Sequence, residues 1–107
     1  MQVSELSADQ LDYWVARARG IDTYYPEGSN ELTYVAAPSL PPRRWCPTRF
    51  WSQGGPIIEE ARIDLNWDTE GHKQWSASME PDVLAQGNTP LEAAMRAFVM
   101  ARMGTDV

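Results

Sequence analysis

Arg62-Ile63-Asp64-Leu65-Asn66-Trp67-Asp68 and Gln74-Trp75-Ser76-Ala77-Ser78-Met79-Glu80 decide the fold, because each alternates polar and apolar residues along its length. Successive side chains of a strand point to opposite faces, so such alternation makes one face apolar and the other polar. Thr69-Glu70-Gly71-His72-Lys73 joins the two stretches, and together they predict a β-hairpin. Its apolar face carries Ile63, Leu65, Trp67, Trp75, Ala77 and Met79, with Asp64, Asn66 and Asp68 expected toward solvent. A third short strand is expected at Pro56-Ile57-Ile58 or at Val83-Leu84.

An apolar sheet face needs a cover, and two helices flank the hairpin in sequence. At the C-terminal side Thr89 suits a cap, Pro90 suits the first helical position, where its missing N–H costs nothing, and Glu92 can reach back to the cap. Leu91, Ala94, Met95, Phe98, Val99 and Met103 then form one stripe, Arg96 and Arg102 fall off it, and Gly104 ends the segment. At the N-terminal side Ser7 and Gln10 form a capping box, with Leu6 and Leu11 placed as a hydrophobic staple. Leu11, Trp14, Val15 and Ala18 recur at helical spacing up to Gly20, which predicts a helix over 8–19.

The expected fold is therefore α+β: an N-terminal and a C-terminal helix packed on a small antiparallel sheet centred on the hairpin. At 107 residues, 43% of them hydrophobic, the chain supports one core, so residues 1–107 are read as a single domain. Residues 21–55 hold most of the prolines and the breakers Gly54-Gly55, and read mainly as loop, with Leu32-Thr33-Tyr34-Val35 as one candidate strand. Gly54-Gly55-Pro56 reads as a turn entering a strand.

A single cysteine, Cys46, excludes an internal disulfide and the common Cys-rich zinc sites, and fits a reducing compartment. The N-terminus has no basic segment followed by an apolar run, and a cytoplasmic protein without a membrane span is expected. The net charge of −6 disfavours nucleic acid as a default partner, since binding to phosphate backbones relies on Lys and Arg displacing counterions.

Chemistry-bearing patterns are few. Asp64-x-Asn66-x-Asp68-x-Glu70-Gly71 begins like a calcium loop, but Thr69 stands where the turn glycine belongs and Trp75 where the bidentate glutamate belongs, so no metal is expected. His72, the only histidine, has no nucleophile placed beside it by sequence, and neither a catalytic set nor a cofactor is expected. Cys46 lies near Arg43, Arg44 and Arg49, which would lower its pKa and activate the thiol, against the simpler reading of an inert thiol.

The segment Pro41-Pro42-Arg43-Arg44-Trp45-Cys46-Pro47-Thr48-Arg49-Phe50-Trp51 gathers three arginines and three aromatics in an otherwise acidic chain. These residue types dominate protein-binding hot spots and also stack on single-stranded bases. The candidate binding residues are Arg43, Arg44, Trp45, Arg49 and Trp51, with Gly54 and Gly55 beside them. The alternative is that Trp51, with Phe50, folds into the core while the arginines stay solvated. From Glu59 to Asp82 seven acids face only Arg62 and Lys73, an acidic face that serves solubility or imitates a phosphate backbone.

Trp51-Ser52-Gln53-Gly54-Gly55-Pro56-Ile57-Ile58-Glu59 and Thr89-Pro90-Leu91-Glu92-Ala93-Ala94-Met95-Arg96 resemble the NinX-like family of small phage and prophage proteins. Val3-Ser4-Glu5-Leu6 and Leu11-Asp12-Tyr13-Trp14-Val15-Ala16-Arg17-Ala18 are similar to that family's start, while residues 21–48 look longer and richer in proline than its usual spacer. The resemblance implies phage origin and fold, without a reaction or a partner. The leading expectation is a non-catalytic accessory protein that binds a host or phage protein. A single-strand nucleic-acid factor comes second and a small metal-dependent hydrolase using His72 third, with the oligomeric state open and a homodimer among the possibilities.

Overall fold

The computed structural model describes residues 1–68 and 74–107. After a 3-10 turn at Val3–Glu5 come helix α1 (Ala8–Arg19), strands β1 (Thr23–Tyr24), β2 (Thr33–Tyr34) and β3 (Arg43–Arg44), helix α2 (Trp51–Ala61), strands β4 (Asp64–Trp67), β5 (Trp75–Met79) and β6 (Val83–Gly87), and helix α3 (Pro90–Met103). The strands make two antiparallel sheets, ordered β1-β2-β3 and β4-β5-β6. The α+β architecture, with helices packed on a sheet built around a hairpin, is the one the sequence predicts.

The hairpin pairs in the register the alternation demands, Leu65 opposite Ala77 and Trp67 opposite Trp75. The two indoles meet edge to face at 5.5 Å, a favoured aromatic geometry, although Trp67 stays 47% exposed at the sheet margin. Asp64 and Asn66 are exposed, and the third strand is β6, extending the expected Val83-Leu84. The hairpin's connecting residues 69–73, including His72 and the Glu70-Gly71 end of the calcium-like half-loop, lie outside the described residues.

Helix α3 is the centre of the molecule. A single stripe would leave its other side wet, yet every residue from Ala93 to Val99 is buried. The sheet β4-β5-β6 covers one side and α1 and α2 pack on the others, so the helix is enclosed round its circumference. Four alanines (93, 94, 97, 101) keep it slim, and three of them are fully buried. Gly87 brings β6 against its first turn, where a Cβ would lie 2.6 Å from the Ala93 nitrogen.

Arg96, off the apolar stripe, is buried rather than solvated, at 7% exposure. Its guanidinium donates to Val3 O (3.2 Å), Leu6 O (2.8 Å) and Gln86 O, and it pairs with Glu92 at 3.2 Å. A buried cation is tolerable only when its donors are met, and these carbonyls meet them. One side chain thus ties the N-terminal segment and β6 to α3.

The end caps form as the sequence predicts. Ser7 and Gln10 make the reciprocal capping box, Gly20 closes α1 in the left-handed conformation at φ 72°, and Thr89 Oγ1 accepts from Glu92 N–H at 3.0 Å.

The middle of the chain differs from expectation. Residues 21–50 contain the three-stranded β1-β2-β3 sheet in addition to loops, and Gly54-Gly55-Pro56 lies inside α2 rather than in a turn entering a strand. Two glycines and an internal proline all disfavour helix. Tertiary contacts outweigh them: Ile57 is buried, and Gly54 fits so closely that a Cβ would sit 2.5 Å from Pro47 O and 2.6 Å from Leu91 Cδ2. The signal was present, since Gly54, Ile57, Ile58 and Ala61 recur at i, i+3, i+4 and i+7.

Candidate interaction surface

The arginine-aromatic segment is divided by one buried anchor. Trp45 is 5% exposed, its indole N–H donates to Asp12 O at 2.8 Å, and its ring meets Tyr34 edge to face at 5.1 Å. Trp45 is therefore a core residue, whereas Trp51 and Phe50 are exposed at 55% and 38%. Which aromatic turns inward is the reverse of the alternative read from sequence. The cause lies across the fold: Trp45 follows β3, its backbone N–H donates to Leu32 O at 2.7 Å, and its indole is carried under α1 to Asp12 O.

A polar network holds the segment in place. Asp12, 3% exposed, accepts from Thr48 N–H at 3.0 Å, and Gln53 bridges the chain by accepting from Cys46 N–H (2.6 Å) and donating to Arg44 O (2.7 Å). Burial pushes the Asp12 carboxyl above the ordinary carboxylate range, opposed by the Thr48 N–H that stabilises its charge. Burial likewise pushes the Cys46 thiol up, and the neighbouring Asp12 charge adds to it. The three arginines do not lower its pKa below the ordinary value as their sequence proximity suggests; Cys46 is a buried, protonated thiol.

On the outside, Arg44 lies over the Phe50 ring at 5.7 Å and pairs with Glu31 at 3.6 Å, while Arg49 reaches Asp9 at 3.8 Å. Arg43 is exposed and has no ion pair among the described residues. Trp51 opens α2, and its ring lies beside Gly55, 3.9 Å from where a Cβ would be. Of the residues read as binding, Arg43, Arg49 and Trp51 are exposed, Arg44 and Gly55 are half-buried, and Trp45 and Gly54 are buried in packing roles. The space beneath Arg44, bounded by Asp12, Trp45 and Cys46, holds only about 20 Å³, too little for a substrate. A roomier open cleft of about 400 Å³ lies elsewhere, along β6 and the flank of α3.

Among the described residues no three His, Cys, Asp or Glu side chains converge to hold a metal ion, and no helix is long and apolar enough to cross a membrane. What the fold and surface define is a small α+β domain whose exposed aromatic and cationic side chains stand on an ordered scaffold. The family model described as bacteriophage P22 NinX matches residues 2–102, nearly the whole chain, and the protein belongs to that phage family. No curated protein matches the chain.

Proposed function

We propose that this domain is a non-catalytic phage accessory protein that binds another protein through the exposed residues Arg49, Phe50 and Trp51, with Arg43 and Arg44 of β3 beside them in the chain. The observation that carries the reading is Trp51: a tryptophan 55% exposed at the entrance of a helix whose first turns are held by Gln53 and by close packing of Gly54. A tryptophan has few rotatable bonds and loses little entropy on binding for the area it offers, which is one reason such side chains dominate interfaces. The partner this face suits has an apolar recess for the indole and an acidic rim for Arg43 and Arg49.

The test is retention from a lysate of phage-infected cells on the immobilised protein, beside Trp51→Ala and Arg43→Glu/Arg49→Glu variants. Since Trp51 is exposed, its replacement should change stability by no more than about 0.5 kcal/mol, whereas Trp45→Ala should cost about 3–5 kcal/mol and serves as the unfolding control. One protein retained by the wild type and lost from the folded variants is the expected result. Equal retention by all of them would remove this face from the account. Salt-dependent binding to single-stranded oligonucleotides, abolished by the same substitutions, would replace the protein partner with nucleic acid.

A further inference from the structure

Strand β6 is an open sheet edge whose pairing groups can be assigned. Asp68 N–H donates to Gln74 O at 2.9 Å, so Gln74 and, two and four residues on, Ser76 and Ser78 turn their backbone groups toward β4. Trp75, Ala77 and Met79 therefore bond to Gly87, Ala85 and Val83, leaving Leu84 and Gln86 with N–H and C=O directed away from the sheet. Arg96 confirms the phase independently, for it reaches Gln86 O from that outer side.

Apart from Arg96 at Gln86 O, the strand carries no guard of its own. Val83-Leu84-Ala85-Gln86-Gly87 contains no charge and no proline, and Leu84 is 63% exposed, the most exposed large apolar side chain among the described residues. Exposed edges of monomeric proteins usually carry charges, prolines or bulges that prevent pairing. Inside the opposite edge strand stands a charge, Asp64, and the Ile63 N–H before it is already bonded to Ile58 O. The 400 Å³ cleft leaves β6 accessible along Leu84–Gly87.

We propose that β6 pairs antiparallel with β6 of a second copy of this chain, joining two β4-β5-β6 sheets across a two-fold axis. The register that sets Leu84 of one copy opposite Gln86 of the other joins outward groups to outward groups on both sides of the axis. In that register Val83 faces Gly87, large against small, and Asp82 faces Asn88, so no two carboxylates oppose each other across the seam despite the net charge of −6. The Gln86 carbonyl keeps a second lone pair beside its bond to Arg96. Leu84 gains Gln86 of the neighbouring copy as its cross-strand partner. This pairing is independent of the Arg-Trp face, which lies on other elements.

Sedimentation velocity over a micromolar to millimolar range tests it, with amide exchange as a second readout. The wild type should show a concentration-dependent dimer with slowed exchange at Leu84 and Gln86. Leu84→Pro removes an outward N–H while leaving every bond to β5, a substitution edge strands tolerate, and Leu84→Lys adds the missing guard charge. Both should weaken dimerisation by at least about tenfold with unchanged far-UV circular dichroism. If the proline variant does not fold, the lysine variant decides. A wild type that stays monomeric throughout, or a dimer unaffected by Leu84→Lys, overturns the pairing.

Discussion

Asp12 joins two parts of the chain through two different oxygens. Its carbonyl receives the Trp45 indole and its carboxylate receives Thr48 N–H, so α1 and the segment after β3 are fastened at one point. Thr48 Oγ1 beside it is buried without a hydrogen-bond partner among the described residues. Because burial raises the Asp12 pKa, the folded chain holds this proton more tightly than the unfolded one. Its contribution to stability is fullest below the unfolded value, and declines as pH rises through the folded one. Asp12→Asn keeps the acceptor for Thr48 N–H and removes the ionisation. Its stability relative to wild type should rise with pH between those two pKa values, by up to about 1.4 kcal/mol per pH unit, and level off above them. Urea unfolding across that range measures it; parallel pH profiles for the two proteins would refute the assignment.

At the scale of elements, α2 persists against its own composition. Gly54 and Gly55 are adjacent in sequence and opposite in role. A Cβ at Gly54 would strike Pro47 and Leu91, while one at Gly55 would meet only the Trp51 ring at an ordinary 3.9 Å. Gly55→Ala should therefore stabilise by up to about 1 kcal/mol, because alanine loses less backbone entropy in a helix. Gly54→Ala should destabilise by about 1–3 kcal/mol through overpacking. Thermal unfolding of the two variants separates local propensity from packing, and equal effects would mean that neither contact matters. The hairpin and the two terminal helices were legible because period and caps agree there with the final packing. At α2 the breaker residues masked a correct helical period, and the three two-residue strands were too short to leave any period at all.

For the whole molecule, Arg96 links elements distant in sequence: the N-terminal carbonyls of Val3 and Leu6, the end of β6, and α3 itself. Arg96→Met fills similar space but leaves Glu92 and three carbonyls without their cation. A loss of about 3 kcal/mol or more is expected, with less cooperative unfolding as the N-terminal segment separates first. Hydrogen exchange at the N-terminal segment, faster in the variant than elsewhere, measures the second part. Uniform destabilisation without such local opening would show that Arg96 acts only through α3.

Residue order by itself determined the α+β class, the limits of the first and last helices, the hairpin register and membership of the phage family, because caps, periodicity and motif strings are local properties. The tertiary structure decided which tryptophan is anchor and which is exposed, that Cys46 is shielded rather than activated, and that Arg96 is a buried clasp. It also decided that Gly54-Gly55-Pro56 is helical. Each of these depends on what a side chain meets across the fold, where burial, a neighbouring carbonyl or the room for a Cβ outweighs anything its sequence neighbours prefer.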